Sequence, residues 1–196
     1  LSEKSSIKIK NLNINPTRIG YIKILNSMGA KIKFFNKRNY KGEQIADVFC
    51  RSNGKLKSIN ISKNFNISSA IDEFLLIFIC CGFAKGVSEL RGLKELNKKE
   101  SKRLDWGIKI LKMVGIKAIK LGDDGIKIFG NPDLLLNKKY IIKNFLKDHR
   151  VAMTSIVLAL SKGGDWQIND PESIKTSFPD FLKIAKSLGA KINERK

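Results

Sequence analysis

Histidine is almost missing from this chain: His149 is the only one in 196 residues. One imidazole excludes histidine-built zinc sites, and without a GxSxG elbow it gives a hydrolase triad no support. Cysteine is scarce as well. Cys50, Cys80 and Cys81 form no CxxC pair and no Cys/His metal spacing. Two of them are adjacent in an apolar run, where a thiol behaves as a small hydrophobe. This usage fits a reducing, cytoplasmic compartment, and no metal ligand set is expected. No GxxxxGK[ST] loop and no GxGxxG after a strand occur, so the common nucleotide cradles are excluded. The longest apolar run, about residues 74–84, is too short to cross a bilayer, and "LSEKSSIKIK" has no apolar stretch of a secretory signal. Acids are few: 18 Asp and Glu stand against 38 Lys and Arg, a net charge of +20.

That surplus favours anionic partners, whether nucleic acid, acidic membrane or phosphorylated small molecules. The lysines are spread along the whole chain, however, with no basic tail and no aromatic–basic alternation. Most of the excess therefore reads as a lysine-biased surface, with no nucleic acid and no membrane as expected partners. A non-catalytic basic module that binds anions or nucleic acid is the alternative. The hydrophobic share of 42% is enough for one domain with a sizeable core.

Present throughout is a repeat. "ILNSMGAKI" (24–32), "ILKMVGIKAI" (110–119) and "IAKSLGAKI" (184–192) each read as the end of an amphipathic helix. In each a glycine (Gly29, Gly115, Gly189) sits where a left-handed residue closes a helix. A short apolar strand follows the first two, with further strand signals near 46–51 and 125–129, and "GDDG" (122–125) reads as a hairpin turn. A second element recurs: "AIDEFLLIFICCGFAKG" (70–86) and "DHRVAMTSIVLALSKGG" (148–164) are apolar, helix-length and end in Lys-Gly. The unit is thus a buried helix, a strand, a loop, an amphipathic helix, a glycine and two strands. Helices apolar all round belong inside, and the periodicity places the amphipathic ones outside with sheets between. The first unit lacks its apolar helix. By the spacing of the others, about 25–30 further residues would complete it.

Helix starts carry partial positive charge and disfavour cations. Arg18, Arg103 and Arg150 nevertheless stand at three of them, beside Lys99 and His149. A local rule broken in this way marks a functional position, because a bound phosphate or carboxylate would supply the missing gain. Two acids, Asp72 and Glu100, also open helices. Taken singly, Asp72 reads as part of a Ser69-x-x-Asp72 capping box and Glu100 as a favourable first-turn charge. Together, on successive units and flanked by cations, they suit proton transfer to and from a bound anion.

"NPTRIG" (15–20), "AIDEF" (70–74), "KKESKRL" (98–104), "DHRVAM" (148–153) and "TSFPDF" (176–181) occur in one order over nearly the whole chain. In this they resemble the 5-enolpyruvylshikimate-3-phosphate synthases, the 3-phosphoshikimate 1-carboxyvinyltransferases of the enolpyruvyl transferase family. The resemblance implies an α/β fold: an inverse α/β prism of repeated βαβαββ units, sheets outside and helices within, with about two and a half to three units here. It implies that residues 1–196 are a C-terminal enolpyruvyl transferase domain lacking its opening helix, with the N-terminal domain outside this chain. The implied reaction, in the shikimate pathway of aromatic amino-acid biosynthesis, moves the enolpyruvyl group of phosphoenolpyruvate to the 5-hydroxyl of shikimate 3-phosphate and releases phosphate. It needs no cofactor or metal, and the full enzyme is expected to be a cytoplasmic monomer. By the same resemblance Asp72 and Glu100 are catalytic, Asp72 and Lys99 meet shikimate 3-phosphate, and Arg103, Arg150 and His149 meet phosphoenolpyruvate. The isolated half-site is expected to be inactive. A UDP-N-acetylglucosamine enolpyruvyl transferase-like enzyme is the nearer alternative. The family motif places aspartate where this chain has Lys102, proline at Leu75 and threonine at Ile19, and some members carry a lysine at Thr176.

Overall fold

The computed structural model describes every residue except 3, 53, 195 and 196. β1 (Ser6–Asn13), α1 (Gly20–Ser27), β2 (Lys31–Tyr40) and β3 (Glu43–Arg51) form a first unit. A complete second unit follows: β4 (Asn60–Ile61), α2 (Phe74–Gly82), β5 (Gly86–Leu90), α3 (Arg103–Met113), β6 (Ala118–Leu121) and β7 (Gly125–Gly130). The third unit comprises β8 (Leu136–Ile142), α4 (His149–Lys162), β9 (Gly163–Ile168) and the short helices α5 (Glu172–Ser177) and α6 (Phe181–Ser187). Among the described residues no strand follows α6. One full βαβαββ unit thus lies between two partial ones.

Three separate sheets result, in the orders β1-β3-β2, β4-β5-β7-β6 and β8-β9. In the full unit β4 and β5 are parallel, joined by the crossover through α2, while β7 pairs antiparallel with both β5 and β6. β8 and β9 repeat the parallel pair through α4, and β1-β3-β2 repeats the antiparallel triplet. The GDDG turn closes the β6–β7 hairpin as its sequence predicts, with Leu121 opposite Gly125.

The repeat has a physical signature at the helix ends. Gly29, Gly115 and Gly189 take φ of 95°, 89° and 101°. After each, the next residue's N–H donates to a carbonyl five residues back: Ala30 to Leu25, Ile116 to Leu111 and Ala190 to Ala185, at 2.9–3.0 Å. This is the bond pattern that satisfies the last carbonyls of a helix, and it requires a left-handed residue that glycine adopts without steric cost.

The helices share one central layer, and the three sheets lie around it. α2 contributes Phe74, Leu75, Ile77, Phe78, Ile79 and Cys81, all buried, and touches α1, α3 and α4 directly. α3 approaches so closely that a Cβ on Gly107 would stand 2.3 Å from the Phe78 ring. The periodicity-based placement of sheets between the two helix sets is therefore wrong. The face of α3 that carries Leu104, Gly107 and Leu111 packs directly on α2, with Gly107 against Phe78 and Leu111 against Gly82, which leaves no room for a sheet between them. Two local expectations also change. The Ala70–Gly86 stretch is not one helix: residues 67–73 form a 3-10 turn and a tight turn, and α2 begins at Phe74. The Ser69-x-x-Asp72 capping box does not form, because the Ser69 hydroxyl donates to the Asn66 carbonyl instead.

Asp47, buried in the central strand of the first sheet, is held from both sides. The backbone N–H of Asn11, the amide of Asn36 and the ammonium of Lys8 all point at its carboxylate. Asn11 and Asn36 reach it from left-handed bulge positions, φ 57° and 50°, in β1 and β2. These contacts, the Asn11 N–H first, hold its pKa below the usual carboxylate range.

Candidate active site

The turns leading into α2, α3 and α4 meet at one end of the helix layer. The turn 71–73 delivers Asp72, the loop 99–102 delivers Lys99 and Glu100, and Asp148 caps α4 ahead of His149 and Arg150. Arg103, the first residue of α3, ties the three together although its side chain is only 2% exposed. Its Nε donates to Asp148 Oδ2 at 3.0 Å, its Nη1 to Asp72 Oδ1 at 3.1 Å, and its Nη2 to Glu100. A buried guanidinium is tolerated only when its donors are matched. Here three carboxylates from three elements match them.

Asp148 is fully buried and carries a second set of contacts. It accepts the Ser101 hydroxyl at 2.7 Å and the Arg150 backbone N–H at 3.0 Å, which closes the N-terminus of α4. Burial pushes its carboxyl pKa upward, but Arg103, Ser101 and the helix N–H together hold it below the usual range. Arg150 leans back over α2: its Nη1 donates to the Asp72 carbonyl at 3.0 Å and reaches Glu73 at 3.4 Å, and its Nη2 lies 3.5 Å from Asp72 Oδ2. Lys99 Nζ stands 3.9 Å from Asp72 Oδ1. His149 occupies the first turn of α4 and, among the described residues, makes no side-chain hydrogen bond or ion pair.

The six residues given site roles by the resemblance are therefore brought to one place, whereas Arg18, the third helix-start arginine, makes no ion pair with them among the described residues. Asp72, Glu100, Lys99, Arg103 and Arg150 form a continuous network, and His149 flanks it. Two placements differ from expectation. Neither Asp72 nor Glu100 lies inside a helix; both sit on the preceding turns, where their carboxylates are 27% and 52% exposed. Arg103 is enclosed by its carboxylates, while Arg150, 28% exposed, is the more open arginine. Asp148, Ser101 and Glu73 were not singled out. Asp148 could have been found as an acid immediately before an apolar helix, the usual N-cap position. Ser101 and Glu73 carry no signal beyond their neighbours.

Lys102 is the N-cap of α3 and makes no capping bond. Aspartate there would accept a first-turn N–H and remove a cation from the positive helix end. Lys102→Asp is expected to stabilise the fold by about 1 kcal/mol, seen as a rise of about 2–4 °C in Tm by calorimetry. In the β8–α4 loop, Lys147 takes φ 57° directly before Asp148. A left-handed non-glycine residue costs about 1–2 kcal/mol. Lys147→Gly should recover about 1 kcal/mol after its larger chain entropy is allowed for, read as a higher urea midpoint.

The chain has the fold of the enolpyruvyl transferases. The enolpyruvyl transferase NikO of Streptomyces tendae superposes over 96% of it with a TM-score of 0.70, at 14% identity. The EPSP synthase of Acinetobacter baumannii superposes more closely, with a TM-score of 0.88 at 34% identity over 97% of this chain and 43% of that one. A family model described as EPSP synthase (3-phosphoshikimate 1-carboxyvinyltransferase) matches residues 1–184. The 3-phosphoshikimate 1-carboxyvinyltransferase of Ruthia magnifica is 39% identical over 98% of this chain and 43% of its own length. That of Campylobacter jejuni is 41% identical over 97% of this chain and 42% of its own. The chain belongs to the EPSP synthase family. It spans about two-fifths of the length of the curated relatives it matches.

Proposed function

We propose that this chain supplies one half of a site that transfers the enolpyruvyl group of phosphoenolpyruvate to the 5-hydroxyl of shikimate 3-phosphate, releasing phosphate. The observation that carries the reading is the pair of partly exposed carboxylates, Asp72 and Glu100, bound to one buried guanidinium. The reaction adds the hydroxyl oxygen to C2 of phosphoenolpyruvate while its methylene carbon takes a proton. It then expels phosphate and gives a proton back. Two acids facing one ligand can take the hydroxyl proton and exchange the carbon-bound one. Their shared contact to Arg103 fixes their spacing. Lys99, against Asp72, is placed to meet shikimate 3-phosphate. Arg150 and His149, with Arg103 behind them, form the cationic wall for phosphoenolpyruvate, where planar guanidinium matches carboxylate and phosphate.

The other half of the site comes, on this reading, from polypeptide outside the 196 residues, in keeping with the greater length of the relatives. No cofactor is invoked. A cytoplasmic, monomeric enzyme is proposed; Cys50, Cys80 and Cys81 are free thiols, and among the described residues no helix is long and apolar enough to cross a membrane. The test is phosphate release from phosphoenolpyruvate and shikimate 3-phosphate. Turnover is expected from the full-length protein and none from residues 1–196 alone. Absence of turnover in the full-length protein would overturn the reading.

A further inference from the structure

Arg150, the more open arginine of the site, is already occupied. Its Nη1 is shared between the Asp72 carbonyl and the Glu73 carboxylate. Glu73 itself lies in the turn before α2, half-buried, with Arg150 of α4 on one side. The charges of Arg18, just before α1, and of the neighbouring Asp72 also act on it, and its own charge acts on Tyr21 of α1. Within the paired network, Asp72, Glu73, Glu100 and Asp148 stand against Lys99, Arg103 and Arg150. An anion that takes the Arg150 guanidinium must therefore replace a carboxylate already paired with it.

Asp148 cannot give way, because it is buried and caps α4. Asp72 and Glu100 are the proposed proton carriers and contact Arg103 at close range. Glu73 has the loosest hold, a single contact of 3.4 Å to Arg150. We infer that Glu73 is the resident counter-ion of Arg150, which an anionic ligand must displace to gain that guanidinium. Glu73 is then a residue that sets anion affinity and takes no part in the chemistry. The inference rests on the proposed function for the identity of the anion, and its geometry stands on this chain alone. Burial, first of all, raises the Glu73 pKa above its ordinary value, and the charge of Asp72 adds to that against the pull of Arg150 and Arg18. Protonated, Glu73 no longer competes.

The experiment is a calorimetric titration of phosphoenolpyruvate into the full-length protein, wild type against Glu73→Gln, at pH 8 and at pH 5. The pair is partly exposed, so its loss should tighten binding by about two- to fivefold at the higher pH. The ratio should shrink toward one as acid neutralises Glu73 in the wild type. A residue that merely shapes the turn would leave the ratio independent of pH. Equal dissociation constants at pH 8, weaker binding by Glu73→Gln, or no binding by either protein would overturn the inference. If Glu73→Gln does not fold, Glu73→Asp carries the test, because its shorter side chain withdraws from Arg150 and should shift binding the same way. Failure of the proposed function is distinguishable: there the wild type releases no phosphate, whatever the two affinities.

Discussion

Asp148→Ala is expected to destabilise the fold by about 3–5 kcal/mol, a drop of about 10 °C in Tm. The magnitude follows from what the carboxylate touches. Removing it strips the buried Arg103 guanidinium of its Nε acceptor, orphans the Ser101 hydroxyl and opens the N-terminus of α4 in a single step. An uncompensated buried charge is the costliest of these. Asp148→Asn separates the contributions. Asparagine caps helices about as well as aspartate, so the cap survives and the charge does not. Its loss should be smaller than that of the alanine variant but still well above that of a surface change. The pH dependence has a definite sign. The folded-state pKa of Asp148 is held below its ordinary value, so its ionised form adds stability above the unfolded-state value. That contribution is lost as pH falls through the folded value. The gap between wild type and Asp148→Asn should therefore persist at neutral pH and close only below the usual carboxylate range, as followed by urea titration over an acid series.

Asp72→Asn and Glu100→Gln are each expected to lower kcat of the full-length protein by about 10²–10⁴-fold, the usual contribution of a positioned acid or base. Both carboxylates are partly exposed, and Arg103 keeps Asp148 after either change, so the melting temperature should move little. That combination, lost turnover with retained stability, distinguishes a group acting on substrate from one holding the structure. Phosphate-release kinetics alongside thermal melts would show it. A kcat within a few-fold of wild type for both variants would remove the acids from the chemistry.

Much of the architecture was legible in advance because it is written in local rules. The three helix-ending glycines predicted left-handed closures, and all three occur. The apolar run of α2 predicted burial on every side; six of its residues are in the core, but Leu76 is exposed and Cys80 half-buried, so one side stays open. The GDDG turn predicted a hairpin, which β6 and β7 form. The misreadings share one cause. The preference for acids at helix starts places Asp72 and Glu100 there, but tertiary contacts with Arg103 hold both ahead of the helices. The placement of sheets between helices failed because periodicity shows that a helix has an apolar face and not which neighbour covers it.

The sequence by itself determined the repeat, the helix ends, the inner helix, and the set of charged residues that break the helix-charge rule. These are one-dimensional properties, decided by the conformational preferences of glycine and the period of the apolar positions. Only the tertiary structure decided that Arg103 is an enclosed hub and Arg150 the open arginine. It also brought in Asp148, Ser101 and Glu73. Burial and pairing depend on which elements meet, and residues 72, 103 and 148 meet only when three helix starts converge at one end of the central layer. The strength of a buried ion network depends on that convergence, because charges separated along the chain acquire their energies from the distance and the medium between them.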